Sequence, residues 1–209
     1  MSQSVSPIIV VATRNIGKLR EFQTLLSSFN CDVRNLADFA DVTKDLEIEE
    51  SGSTFAENAR LKAAGYSRLV PFPVIADDSG LEVDALGGRP GIHSARYAGR
   101  DASDADRIRK LLYELESCGG ERSARFVCAL ALARNGEVIA ESEGSCFGVI
   151  IDQARGLKGF GYDPVFLFPE IGKTFAELDE DEKNQYSHRA RAVDALQAST
   201  RKFHMANLL

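Results

Sequence analysis

The chain opens with Ile8-Ile9-Val10-Val11-Ala12, an unbroken apolar and mostly β-branched run that stops at the polar stretch Thr13 to Gly17. A run of this kind suits a strand buried on both faces, as in a sheet covered by helices, and reads as the first, central strand. Apolar residues then recur at Ile16, Leu19, Phe22, Leu25, Leu26 and Phe29, which places them on one face of a helix. The chain thus opens with a strand, a tight polar loop and a helix.

Later punctuation extends the pattern. Thr54-x-x-Glu57 is a capping box, and the Ala-rich sequence after it predicts a helix to about Leu69, ended by Pro71 and Pro73. Val74-Ile75-Ala76 predicts a short strand delivering Asp77-Asp78-Ser79-Gly80 at its C-terminal end, with a turn to follow because Gly80 and Gly87-Gly88 break regular structure. Ser103-x-x-Asp106 predicts the cap of a helix whose core face is Ile108, Leu111, Leu112 and Leu115. From Arg125 to Arg134 the sequence alternates, with Phe126, Cys128, Leu130 and Leu132 on one side, and Asn135-Gly136 supplies a type I′ turn before Glu137 to Ala140. That hairpin makes the sheet mixed. A Gly-rich stretch, Gly156 to Gly161, leads to Val165-Phe166-Leu167-Phe168, and a last helix is expected from Ser187 as N-cap to about Phe203.

Composition narrows the function classes. With 209 residues, 44% hydrophobic and 27% charged, the chain can bury one substantial core, and a single domain over 1–209 is expected. A formal charge of −6 and the lack of a basic stripe argue against a nucleic-acid partner, which would require a cationic surface. Cys31, Cys118, Cys128 and Cys146 form no C-x-x-C pair, as expected of reduced thiols in a cytoplasmic protein. The early apolar run is too short for a signal h-region or a membrane span, so no membrane partner is expected.

Several short stretches carry chemistry. Thr13-Arg14-Asn15-Ile16-Gly17-Lys18 lies between a buried strand and a helix N-terminus, where unpaired N–H groups favour anions and a lysine can reach a phosphate; it lacks the Walker pattern. Asp77 and Asp78 are adjacent carboxylates whose repulsion a hard divalent cation, best Mg²⁺, would offset, although an acidic turn has the same sequence. Glu47, Glu49 and Glu50 form a further acidic cluster, of a kind that is usually a solvated face. Phe160 between Gly159 and Gly161 could lie flat against a base or pack into the core. Ser187-His188-Arg189 joins a helix cap to two donors.

Taken together and in this order, these blocks resemble the inosine/xanthosine triphosphate pyrophosphatase family along nearly the whole chain. The resemblance rests on Ala12 to Lys18, Glu50-Ser51-Gly52-Ser53-Thr54-Phe55 with Asn58-Ala59, Ala76 to Leu81 with Val83-Asp84, Gly91 to Tyr97, Gly159 to Pro164, and Glu182-Lys183 with Ser187 to Arg189. It implies an α/β fold, an elongated mixed β-sheet with flanking helices, two lobes around a nucleotide-binding cleft, and a homodimer. It also implies hydrolysis of ITP, dITP and XTP to the monophosphate and pyrophosphate with Mg²⁺. By the same resemblance, Thr13, Arg14, Asn15, Ile16, Gly17 and Lys18 bind the phosphate chain and Lys62 helps neutralise it. Glu50, Asp77 and Asp78 hold the metal, Asp78 accepts the proton of the attacking water, and Ser79 contacts substrate. Phe160 stacks on the base, and Gly161, Tyr162, Asp163, Lys183, His188 and Arg189 complete the nucleoside pocket, with His188 and Arg189 reading the 6-oxo group.

The chain departs from the family pattern at two points. Arg14 stands where the family often has Gly or Asn, which implies either an altered backbone at a position that suits a small residue or an extra cation facing the phosphates. The family often has Trp near Cys146, and this chain has no Trp. Two rival readings are a nucleotide-binding protein without turnover, which the intact Lys18, Glu50, Asp77 and Asp78 disfavour, and a metal-dependent nuclease, which the acidic balance disfavours.

Overall fold

A computed structural model describes residues 6–201. Its sheet has seven strands in the order β2-β1-β3-β4-β5-β6-β7, formed by β1 (Ile8–Val11), β2 (Asp32–Asn35), β3 (Val74–Val83), β4 (Ser123–Arg134), β5 (Glu137–Ile150), β6 (Phe166–Phe168) and β7 (Lys173–Thr174). β1 runs parallel to β2 and β3, whereas β6 runs antiparallel to β5 and β7, so the sheet is mixed as the hairpin implied. The helices are α1 (Ile16–Leu25), α2 (Ala40–Thr43), α3 (Phe55–Ser67), α4 (Asp104–Cys118), α5 (Glu180–Tyr186) and α6 (His188–Arg201). The expected end of the last helix, Phe203, lies outside the described residues.

The chain divides into two compact units. Of the described residues, the first comprises 6–78, 128–144 and 189–201, and the second 79–127 and 145–188. The core of the first joins Ile9 and Val11 of β1, Phe22 and Leu26, Ile75 of β3, Cys128, Leu130 and Leu132 of β4, and Ala192, Val193 and Leu196 of α6. The core of the second is aromatic. Phe166 is fully buried, with ring centroids 4.5 Å from Phe126 and 4.9 Å from Phe175, and Leu111 and Leu115 of α4 belong to the same cluster.

The capping signals place helices where expected. The Thr54 side chain accepts from the Glu57 amide at the start of α3, and Ser103 with Asp106 forms the reciprocal box at the start of α4. Asn135 and Gly136 both have positive φ, as a two-residue I′ turn requires. That turn is also fastened to the end of α3: the Gly136 amide donates to Ser67 Oγ at 2.9 Å, and a Cβ at Gly136 would meet the Arg68 side chain.

Four expectations are corrected. β3 does not stop at Ala76 but continues through Gly80 to Val83, because hydrogen bonding to neighbouring strands holds a glycine extended as readily as in a turn. β4, not β1, is the middle strand. β4 is also buried on both faces: Val127, Ala129, Ala131 and Ala133 are as enclosed as the larger residues that alternate with them, and small side chains allow close cover. Ile16 is 68% exposed, since it is the first helical residue and the core face of α1 begins one turn later. Ser187 has extended dihedrals directly before α6, in the position expected.

Phe166→Ala would leave a ring-sized hole between Phe126 and Phe175. It is expected to destabilise the protein by about 3–5 kcal/mol, measured by chemical denaturation, whereas the same change at exposed Phe147 should cost little.

Candidate active site

In the first unit, candidate residues come from the start of α1, one face of α3 and the middle of β3. Asn15 caps α1, its side chain accepting the Lys18 amide at 3.0 Å, while Thr13 Oγ1 accepts the Asn15 amide at 3.2 Å. The loop thus takes its shape from its own short polar side chains. The first-turn N–H groups of Ile16 and Gly17 have no carbonyl partner within the helix and mark its positive end, which is the local chemistry for an anion.

Arg14 departs from expectation. Its guanidinium donates to the backbone oxygens of Thr43 (2.7 Å), Lys44 (3.3 Å) and Leu46 (3.0 Å) at the end of α2, so these donors are spent on protein carbonyls and not directed at a phosphate site. Carbonyls that run off a helix end need donors from elsewhere, and a planar fork can serve several at once.

Asp77 and Asp78 are consecutive on an extended strand and therefore project from opposite faces. Asp77, 2% exposed, pairs with Lys18 Nζ at 2.7 Å, and Arg189 Nε lies 3.7 Å from the same oxygen. Burial alone would push the Asp77 carboxyl up. The charges of Lys18, Arg189 and Lys62 overcome this and hold it well below the usual carboxylate range. Arg189 also pairs with Glu21 of α1. Asp78, 8% exposed, accepts from Asn58 Nδ2 at 2.9 Å. Its carboxyl is pushed up by burial and, to a smaller degree, by the charge of Glu50, against the hydrogen bond from Asn58 and the charge of Lys62.

Asn58 and Lys62 are four residues apart on α3 and so share a face. Lys62 Nζ reaches both the Asp77 backbone oxygen at 2.9 Å and Glu50 Oε1 at 2.8 Å. Burial would lower the Lys62 pKa, but the charges of Asp77 and Glu50 raise it, so the lysine stays cationic.

Glu50 is an acidic neighbour that bears on Asp78 from outside the strand. Among the described residues no group of three or more His, Cys, Asp or Glu is arranged to hold a metal ion. Mg²⁺ does not require one, since it keeps several waters and is commonly bound by one or two carboxylates together with substrate phosphates. Glu50 and Asp78 are hard oxygen donors, and the raised carboxyl of Asp78 is a destabilised charge that a cation would relieve. On this chemistry the residues fit the ion. Asp77, already held by Lys18, fits less well as a ligand.

In the second unit, a buried acid shapes the Phe160 loop. Asp163 Oδ2 accepts from Lys183 Nζ at 2.6 Å and from the Phe160 amide at 3.0 Å, and Lys183 Nζ lies 4.9 Å from the Phe160 ring centroid. Gly159 has φ +75°, and any Cβ there would collide with the same Asp163 carboxylate. The Gly161 amide donates to Asp104 Oδ2 at 2.7 Å. Phe160 is half-buried, while Tyr162 is buried and donates its hydroxyl to the Ser94 carbonyl at 3.0 Å, so Tyr162 supports the loop from beneath. His188 is buried with its ring stacked on Phe126, centroids 4.9 Å apart. Ser79, half-buried, follows Asp78 on β3. His188 falls in the second unit and Arg189 in the first, where Arg189 meets Glu21 and Asp77. The two residues thus have different neighbours, as successive helical residues pointing about 100° apart allow: His188 stacks on Phe126, and Arg189 pairs with Glu21 and lies near Asp77.

A model described as the Ham1 family matches residues 9–199. This chain belongs to the Ham1 family. It is 57% identical over 189 residues to a dITP/XTP pyrophosphatase of Geobacillus kaustophilus, covering 90% of this chain and 91% of that one. A dITP/XTP pyrophosphatase of Bacillus licheniformis is 50% identical over 91% of this chain and 96% of its own. Among solved structures, a HAM1 protein from Coxiella burnetii superposes with a TM-score of 0.83 at 42% identity, covering 94% of this chain and 99% of that one. The Staphylococcus aureus Ham1 protein gives 0.81 at 41% identity, covering 93% and 98%. The family and the mixed α/β fold inferred from the motifs are thereby borne out.

Two residues of this Ham1 chain that touch the candidate groups were missed as functional in the sequence. Asn58 had a signal, since an asparagine inside a helix is disfavoured without a side-chain task. Glu21 had a weaker one, three residues after Lys18 on α1.

The two aspartates should separate by stability. The depressed carboxyl of Asp77 stabilises the fold above its unfolded value near 4, a contribution lost only as pH falls through the lower folded value. The raised carboxyl of Asp78 contributes only while protonated, a contribution lost as pH rises through its folded value. At pH 7 in chelator, Asp77→Asn should cost about 3 kcal/mol by leaving Lys18 and Arg189 short of a partner, while Asp78→Asn should match or exceed wild type. Denaturation curves of the two variants check this, and equal losses would overturn the assignment.

Proposed function

We propose that this Ham1 chain hydrolyses ITP, dITP and XTP to the nucleoside monophosphate and pyrophosphate, removing non-standard purines from the nucleotide pool of the cytoplasm, and that it works as a homodimer. The observation that carries the substrate class is the 57% identity, over nine-tenths of both chains, to a protein named dITP/XTP pyrophosphatase. Among the described residues, no helix is long and apolar enough to cross a membrane.

The reaction is supported by the cluster on α1, α3 and β3. Displacement at a polyanionic phosphate chain depends on neutralised charge and in-line placement more than on covalent help. Lys18 and Lys62 supply cations, and the start of α1 supplies amides. Asp78 takes a proton from water as its oxygen attacks phosphorus; the bond to the bridging oxygen breaks and pyrophosphate leaves. Burial that raises the Asp78 carboxyl makes it a stronger base, a role that contributes about 10²- to 10⁴-fold in many enzymes. Mg²⁺, held by Glu50 and Asp78, would supply further phosphate neutralisation when bound. Asp77 holds Lys18 and Arg189 in place.

We assign the base to the second unit. The Phe160 ring offers a stacking face, and Lys183 and His188 bring donors that suit a 6-oxo group and oppose the 6-amino group of adenine. Arg189 is assigned to Asp77 and not to the base. Ser79 and Gly161 remain contacts in this proposal, with Tyr162 and Asp163 setting the loop.

Purified protein with Mg²⁺ should hydrolyse ITP, dITP and XTP far faster than ATP, CTP or UTP and release pyrophosphate. Orthophosphate release, or an equal rate on ATP, would overturn the function. Asp78→Asn should lower kcat by about two orders of magnitude or more. Retained turnover would move the base to Glu50.

A further inference from the structure

Arg14 has no place in the reaction as described, yet it occupies the loop on which that reaction depends. Between the loop and the segment 35–44 lies a cavity of about 430 Å³, lined by Thr13, Ile16, Leu19, Leu36, Ala40 and Thr43 among others. Side chains do not fill this space, and the Arg14 guanidinium reaches the oxygens of Thr43, Lys44 and Leu46 at its margin. The Leu46 oxygen is held a second time, by Tyr66 Oη of α3 at 3.1 Å. Two residues later Ile48 lies against Gly65, where a Cβ would overlap the Ile48 side chain. Two residues beyond that stands Glu50, paired with Lys62.

From this connection we propose that Arg14 is a positioning residue. It clamps the segment 43–46 to the phosphate loop, and so sets where Glu50 stands relative to Lys18 and the start of α1. It acts through backbone carbonyls and makes no contact with the nucleotide. Segment 44–50 belongs to no helix or strand, so its placement depends on such point attachments. Arginine suits the task because one planar fork serves several carbonyls at once, which a lysine cannot do. The inference rests on the reading of Glu50 as a metal-holding carboxylate, and its test includes a readout independent of turnover.

Arg14→Ala, Arg14→Lys and Tyr66→Phe would be compared with wild type by amide hydrogen exchange without nucleotide and by initial rates on ITP over a Mg²⁺ titration. Arg14→Ala should speed exchange across Leu46 to Glu50 by about tenfold, the scale of losing a charge-assisted hydrogen bond, with the amides of α3 unchanged. It should raise the Mg²⁺ needed for half-maximal rate several-fold while the KM for ITP at saturating Mg²⁺ stays within about twofold. Arg14→Lys should fall between Arg14→Ala and wild type. Tyr66→Phe, which alters no atom of the loop, should shift exchange and Mg²⁺ dependence in the same direction. A raised KM with exchange at Leu46 to Glu50 unchanged would overturn the proposal and return Arg14 to the phosphates; unchanged exchange and unchanged Mg²⁺ dependence would also overturn it. If wild type fails to hydrolyse ITP, the proposed function falls, and the exchange data alone still decide whether Arg14 holds the segment.

Discussion

A carboxylate on an interior strand can remain charged only if the protein brings cations to it, and Asp77 makes that demand on the first unit. Lys18 from α1 and Arg189 from α6 answer it, with Glu21 balancing Arg189 in turn. Two helices far apart in sequence, α1 and α6, are thereby fixed around one residue of β3. The loop at the start of α1 inherits its position from this pairing, because Lys18 is both its last residue and the partner of Asp77. Lys62 adds a link from α3 by donating to the backbone of the same aspartate.

With that arrangement in place, the neighbouring residue is free for different work. Strand geometry turns Asp78 away from Lys18 and toward α3, where Asn58 orients it and burial leaves its charge only partly compensated. One aspartate is held as an anion by the cations around it, and the next has its charge disfavoured by burial. The second unit follows a related plan with Asp163: a buried acid joins Lys183 to the Phe160 amide, and Gly159 is required because the space a side chain would need is taken by the carboxylate.

Much of this was legible in the sequence where the signal is local. The apolar run of β1, the Thr54 and Ser103 caps and the Asn135-Gly136 turn each depend on a few adjacent residues, and each lies where those residues put it. The loop from Thr13 to Lys18 and the Asp77-Asp78 pair stood out as short motifs, whereas Lys62 came only with the family resemblance. What escaped was set by distant partners. Gly80 resembles a turn until neighbouring strands hold it extended, and Arg14 resembles a phosphate ligand until the carbonyls some thirty residues later claim it. Arg189 was read with His188 because they are adjacent, whereas Arg189 pairs with Glu21 and His188 stacks on Phe126. β2 and α2 gave no signal, being four-residue segments of which only Thr43 is buried.

The fastening of the β4–β5 turn to α3 carries a kinetic consequence. Ser67 and Gly136 are 69 residues apart, so α3 cannot be seated at its C-terminal end until the hairpin has formed and closed that long loop. α3 also carries Asn58 and Lys62. During refolding, helical signal, which needs only local contacts, should therefore return before the C-terminal end of α3 is locked to the turn. Synthesis on the ribosome imposes the same order, since α3 emerges well before the turn that locks it.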